Sequence, residues 1–251
     1  STKEKSMGDV VKKNVQLIAT ACEKISAVYS SNGKDVWVVS HGWQNNFFYS
    51  WLVTADGVSS KPIVSRTGSL YKGGYSTEGN AIGCMKISPD GKKIASAIYE
   101  EKFFELYDFD DSTGIVSNPQ SIQLPFGRTL AYGVEFSPNS KLVYISIYLP
   151  SEIYQFDVYA GTQFQISDSY IKIGDPISKN VSSLQLAPDG KIYCALKSKW
   201  IGAITNPNSP GTDCKYNDEY VKNVLINSFT FTLGECQFFS LPIVCASKIC
   251  G

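Results

Sequence analysis

SPDGKK (Ser88–Lys93), SPNSKL (Ser137–Leu142) and APDGKI (Ala187–Ile192) are three versions of one turn, set 49 and 50 residues apart. A more distant version, SSNGKD (Ser30–Asp35), precedes the first, and the Gly/Ser/Tyr-rich stretch Gly68–Gly79 accommodates the longer interval. The Pro-Asp-Gly core has a mechanism. Proline sets φ at the first turn position, aspartate caps the turn with its side chain, and glycine takes the positive φ. Ser140 replaces that glycine in the third copy, which predicts a wider or mildly strained turn.

Outward from each turn the hydropathy alternates with period two, as in Ala131–Phe136 before the turn and Leu142–Ile147 after it. That pattern is a β-hairpin. A third β-rich run follows in every copy (Phe47–Thr54, Phe103–Phe109, Glu152–Val158, Trp200–Thr205), and a fourth lies near Ile63, Ile122, Ile171 and Val224. No long stretch has helical periodicity. A four-stranded antiparallel meander recurring at roughly 40 to 50 residues is the pattern of a β-propeller blade. The fold class is therefore all-β, with four blades at about 21–67, 80–125, 129–175 and 180–226 in a single domain spanning 1–251. Asn14–Ala19 reads as the outer strand of a preceding blade and Cys236–Val244 as the inner strand of a following one. The expectation is an arc of a larger, seven-bladed ring, or else ends that pair to complete a fifth blade. An open arc would expose sheet edges and an apolar blade face.

Composition limits the chemistry. The chain has 251 residues, 23 Lys+Arg against 23 Asp+Glu, 43% hydrophobic residues and 13% aromatics, so a sizeable core is available and no basic footprint points to nucleic acid. His41 is the sole histidine, and Arg66 and Arg128 are the only arginines. Zinc sites with two or three histidines are excluded, any imidazole dyad must use His41, and a three-arginine carboxylate clamp is one short. No run approaches the roughly 18 apolar residues of a membrane span, so no membrane insertion is expected. The chain begins at Ser1 without Met, consistent with removal of a signal peptide or of further upstream sequence.

Seven cysteines with no CxxC pair favour export over zinc or thioredoxin-like redox chemistry. Cys214, Cys236, Cys245 and Cys250 are disulfide candidates, paired Cys214 with Cys236 and Cys245 with Cys250. Cys84 and Cys194 sit in alternating strands and read as buried thiols; Cys22 fits either role.

The ordered motifs MGDVVKKNV (Met7–Val15), EKISAVYSSNGKDVWVVSHGW (Glu23–Trp43), NAIGCMKISPDGKKIASA (Asn80–Ala97), ELYDFDDSTGIVSNP (Glu105–Pro119), AYGVEFSPNSKLVYIS (Ala131–Ser146), IYQFD (Ile153–Asp157), LQLAPDGKIY (Leu184–Tyr193) and NPNSPGTDCKY (Asn206–Tyr216) cover most of the chain. They resemble a Bacteroidota-type family of exported β-propeller domains in proteins of the type IX secretion and gliding-motility system, which often end in a type B sorting domain. Members of that family carry further blades upstream, and the segment LPIVCASKICG here is richer in cysteine. The resemblance implies secretion or cell-surface display through type IX secretion, and a scaffold or binding role with no shared catalytic residues.

Propellers bind at the face made by the B–C and D–A loops. There HGWQNNFFY (His41–Tyr49) sets Trp43 among Gln44, Asn45 and Asn46, a combination suited to stacking a sugar and bonding its hydroxyls, or to anchoring a protein. The alternative is that Trp43 and Phe47 cap strand ends. Glu100 and Glu101, Trp200, and Arg128 with Tyr132 near the channel entrance complete the candidate face. The acidic turn Asp108–Gly114 lacks the spacing of a calcium loop and reads as a strand C–D turn. His41 with Glu100 or Glu101 has no nucleophile elbow or phosphate loop beside it. The expectation is thus a non-catalytic binder of a protein or surface glycan, with no cofactor and no metal, and a lactonase- or glycosidase-type propeller enzyme as the alternative.

Overall fold

The computed structural model describes residues 14–73, 79–176 and 180–222. Four antiparallel sheets follow one another along the chain, each a meander, with strands lettered A to D from the inside outward. Blade 1 contains β1 (Ala21–Tyr29), β2 (Val36–Gly42), β3 (Asn45–Thr54), the two-residue β4 (Gly57–Val58) and β5 (Ile63–Tyr71), the last paired with β3. Blade 2 contains β6 (Met85–Ile87), β7 (Lys93–Ala97), β8 (Phe103–Asp110) and β9 (Ile115–Gln123). Blade 3 contains β10 (Ala131–Phe136), β11 (Leu142–Ile147), β12 (Glu152–Asp157) and β13 (Ile171–Gly174). Blade 4 contains β14 (Val181–Leu186), β15 (Ile192–Leu196), β16 (Trp200–Ile204) and β17 (Tyr216–Lys222). This is a β-propeller arrangement, as the repeat predicts.

The turns that reveal the fold are built alike. In blade 2 the Ser88 N–H donates to Lys93 O and the Gly91 N–H to Ser88 O, both at 2.8 Å; in blade 3 Ser137 and Ser140 make the same two bonds to Leu142 and Ser137 at 2.8 Å. Ser140 sits at φ 61, where Gly91 has φ 72, so the turn is strained but not widened. The Ser140 hydroxyl also accepts the Asp90 N–H at 3.1 Å, tying blade 3 to blade 2. Blade 4 is one residue tighter, with the Ala187 N–H closing on Lys191 O.

Alternation turns into packing because the two faces of each sheet meet different neighbours. Trp37, Val39 and Phe48 of blade 1 pack on Met85, Ile87, Ile94, Tyr107, Phe109 and Val116 of blade 2. Ala95, Ala97, Phe104, Leu106 and Ile122 of blade 2 meet Val134, Phe136, Val143, Ile145, Tyr154 and Phe156 of blade 3. Leu142, Tyr144 and Ile153 of blade 3 then meet Leu184, Ile192, Cys194, Ile204 and Cys214 of blade 4.

Two expectations need correction, and one short helix adds to the strand pattern. Asn14–Ala19 forms no strand. A helix, α1 (Gln163–Asp168), lies between strands C and D of blade 3, started by a capping box in which Thr162 and Gln165 bond each other's backbone. Its Ser167 hydroxyl accepts the Gln123 N–H of blade 2 at 3.0 Å. Cys214 is a free thiol buried between blades 3 and 4, and Cys22, Cys84 and Cys194 are free as well, so no disulfide occurs among the described residues. Cys236, Cys245 and Cys250, and with them the strand expected at Cys236–Val244, lie outside those residues.

Candidate functional site

The B–C loops and the D–A connections emerge at one end of the blades. On that face, among the described residues, six non-glycine residues hold left-handed backbone: Gln44 (φ 61), Glu100 (φ 73) and Ser151 (φ 70) on B–C loops, and Phe126 (φ 56), Leu130 (φ 63) and Asn180 (φ 31) on D–A connections. Such conformations cost of order 1 kcal/mol each and persist where the surroundings hold them.

The ionisable groups of the face are oriented by neighbours. Asn80 Nδ2 donates to Glu101 Oε1 at 3.1 Å, and Asn80 Oδ1 accepts the Gly73 N–H at 3.1 Å. Glu100 packs so closely over Gly79 that any side chain there would collide with its carboxylate. Arg128 makes a bidentate pair with Glu152, Nε to Oε2 at 2.7 Å and an Nη to Oε1 at 3.0 Å. Tyr154 also donates to Glu152 at 3.0 Å; burial, then that carboxylate, push its hydroxyl up to about 12. Tyr132 is buried in a cluster with Tyr99, against which Tyr148 and Leu130 pack.

The amides around Trp43 serve the loop itself. Asn45 Nδ2 donates to Trp43 O at 3.0 Å, its Oδ1 accepts the Phe47 N–H at 2.9 Å, and Asn46 Nδ2 donates to Gly68 O at 3.4 Å. Gln44 is exposed, and Trp43 is half-buried against Cys22, Tyr71 and Ile98. Trp200 starts β16 opposite Lys222, away from this cluster. The acidic turn is the C–D turn expected: Asp110 accepts from Ser112 and Thr113, Asp111 pairs with Lys92 at 2.8 Å and Asp108 with Lys93 at 2.6 Å.

His41 is corrected from a loop-face residue to a core one. It lies within β2, fully buried, stacked on Tyr71 with ring centroids 4.0 Å apart and edge-on to Phe48. Its Nδ1–H donates to Gly42 O at 2.7 Å, while Nε2 has no partner among the described residues. Beside it, Lys24 is completely buried, its ammonium donating to the carbonyls of Ile82 (2.9 Å), Gly83 (2.9 Å) and Ala97 (2.7 Å) in blade 2. Burial lowers Lys24 to about 8 and raises the Cys22 thiol to about 11. Tyr71 and Tyr107 both donate to Glu105. The interface between blades 1 and 2 thus carries a buried polar network around Lys24 and Glu105.

Burial also pushes His41 down to about 4. The unfolded chain takes up a proton near pH 6.5 and the folded one does not, so stability present above pH 6.5 is lost as pH falls toward 4, by roughly 3 kcal/mol in all. Unfolding midpoints followed from pH 7 to 4.5 should fall in the wild type and flatten in His41→Phe. Parallel profiles would show that His41 is not the group responsible.

No protein-family model matches the sequence, and no curated protein matches it. Solved structures do. The periplasmic gluconolactonase of Pseudomonas aeruginosa superposes with a TM-score of 0.51 at 15% identity, covering 78% of this chain and 56% of that one. A putative 6-phosphogluconolactonase from Bacteroides fragilis gives 0.50 at 13% identity, covering 79% and 55%. Virginiamycin B lyase from Staphylococcus aureus gives 0.44 at 16% identity, covering 74% and 53%. The chain spans just over half the length of each, and at these identities the likeness is one of fold. The expectation of a domain without chemistry of its own is corrected here, because the fold is shared with enzymes.

Sequence reasoning passed over Lys24, Asn80 and Glu152. The available signal for Lys24 was its position: it shares a strand face with Cys22, Ser26 and Val28, where a lone charge must find buried partners.

Proposed function

We propose that this chain is part of a propeller hydrolase that opens cyclic esters at the B–C and D–A loop face. The observation that carries the reading is the gathering on one face of an oriented carboxylate, a held guanidinium and six strained non-glycine residues. The likeness in fold to the two lactonases supports cyclic esters as the substrate class. Glu101, oriented by Asn80, takes a proton from water as the water oxygen bonds to the lactone carbonyl carbon. Arg128, held by Glu152, stabilises the oxyanion. When the intermediate collapses, the ring C–O bond breaks, the proton passes to the leaving alkoxide, and the product is an open hydroxy acid.

The test is proton release in a pH-stat, with the full chain and a panel of five- and six-membered lactones including glucono-δ-lactone. Turnover should exceed spontaneous ring opening and fall at least about 100-fold in Glu101→Gln, the scale expected on losing a general base, with the circular dichroism spectrum unchanged. No turnover across the panel, or full activity in Glu101→Gln, overturns the assignment.

A further inference from the structure

A tight turn carries the D–A connection between blades 2 and 3. The Arg128 N–H donates to Pro125 O at 3.1 Å, and the two corner residues, Phe126 (φ 56, ψ 25) and Gly127 (φ 62), both hold left-handed backbone. That is the pattern of a type I′ turn, whose corners ordinarily go to Asn, Asp or Gly. Phenylalanine is poorly suited to the first corner, because its Cβ crowds the backbone at positive φ. Packing does not offset this strain. The Phe126 ring is 75% exposed, and among the described residues the one ring it meets is that of Tyr170, edge-on with centroids 5.9 Å apart. Gly127 beside it faces open space, with nothing within 4 Å of where a side chain would begin.

The turn ends on the guanidinium assigned to the oxyanion. Tyr170 lies 6.2 Å from Tyr154, ring to ring, and Tyr154 donates to Glu152, the carboxylate that holds Arg128. An unbroken line of contacts therefore joins the Phe126 ring to the ion pair. On the loop that supplies Glu152, Leu149 is also exposed, three residues earlier in the chain. The amides suited to a sugar's hydroxyls, Asn45 and Asn46, are bonded within blade 1. We propose that Phe126 is a specificity-determining residue of this site, and that the lactone it selects carries an alkyl substituent laid against the ring while Arg128 meets the carbonyl oxygen. This rests on the hydrolase reading and narrows its substrate class from cyclic esters in general to alkyl-substituted ones. The strain of the turn is then held for the ligand and not for the fold.

The test compares hydrolysis of δ-decanolactone, δ-valerolactone and glucono-δ-lactone by the full chain in the pH-stat. Calorimetry with the lactam analogue of δ-decanolactone, which is not opened, reads binding separately. The kcat/KM for δ-decanolactone should exceed that for δ-valerolactone at least about 10-fold, the scale that added methylenes contribute against an apolar surface. Phe126→Asn should abolish that preference and, because asparagine suits the corner, raise the thermal midpoint. Phe126→Leu, which keeps an apolar side chain, should retain most of the preference. A preference for glucono-δ-lactone, or a preference for δ-decanolactone that survives Phe126→Asn, overturns the assignment and leaves the hydrolase standing. A lowered midpoint in Phe126→Asn would make the ring a structural one and overturn it too. Lactam binding that weakens at least about 10-fold in Phe126→Asn, without turnover of any lactone, would keep the apolar subsite and remove the hydrolase. Neither turnover nor lactam binding overturns both.

Discussion

Gly133→Ala is expected to destabilise the protein by about 3 kcal/mol, the upper range for forcing extra volume into a packed interior, lowering the thermal midpoint by roughly 6–12 °C. At Gly133 the inner strands of blades 3 and 4 come together. A methyl group there would lie 2.7 Å from Ser146 Oγ and closer still to the Ser182 carbonyl oxygen, with Leu184 N at 3.1 Å. Two of these three atoms belong to the backbone of β14, which cannot swing aside as a side chain would. The same contact is where Ser146 bridges, its hydroxyl accepting the Gly133 N–H at 2.8 Å and donating to Ser182 O at 2.6 Å. Gly190→Ala is the control: that glycine has open space around it but φ 78, so only about 1 kcal/mol of backbone strain is expected. Urea unfolding of both variants separates the two effects. An equal loss in each would mean that the inner strands do not meet as closely as described.

Lys24→Met should cost about 3 kcal/mol even though it preserves side-chain volume. Methionine fills the space but offers no hydrogen to the carbonyls of Ile82, Gly83 and Ala97, which remain buried between blades 1 and 2. Removing one side of a buried polar contact leaves the other side desolvated, whereas replacing both sides can be nearly neutral. Lys24→Ala should cost more, since a cavity is added to the loss of the three ammonium bonds. Chemical denaturation gives the numbers, and Lys24→Met at wild-type stability would show that the ammonium contributes nothing net. The lysine is still protonated at neutral pH, because burial lowers it only to about 8 and its three N–H donors are matched by three acceptors.

Much of the face was legible as a list of residues but not as a set of contacts. Glu100, Glu101 and Arg128 could be placed on the loop face because loop positions follow from strand positions. Nothing in the sequence pairs Arg128 with Glu152, or Asn80 with Glu101, since each pair joins different loops. The amides beside Trp43 have a local task the sequence does not show: a short B–C loop leaves backbone groups unsatisfied, and Asn45 and Asn46 bond to those. His41 lies inside β2, one residue before the strand ends, and not in the loop that follows. As the partner of Phe48 across β2 and β3 it points toward blade 2, and Tyr71 then covers it.

The sequence alone determined the repeat, the hairpins and the order of strands, because turn chemistry and period-two alternation are local properties of the chain. It also determined what chemistry is unavailable, one histidine and two arginines being too few for several sites. Only the tertiary structure decided which face of each blade is polar, that Lys24 lies inside and is held by the next blade, and that Cys214 is a free thiol between blades rather than half of a disulfide. Those outcomes depend on what the neighbouring blade presents across the interface, residues 50 or more positions away, and a side chain's burial is set by that neighbour and not by its own strand.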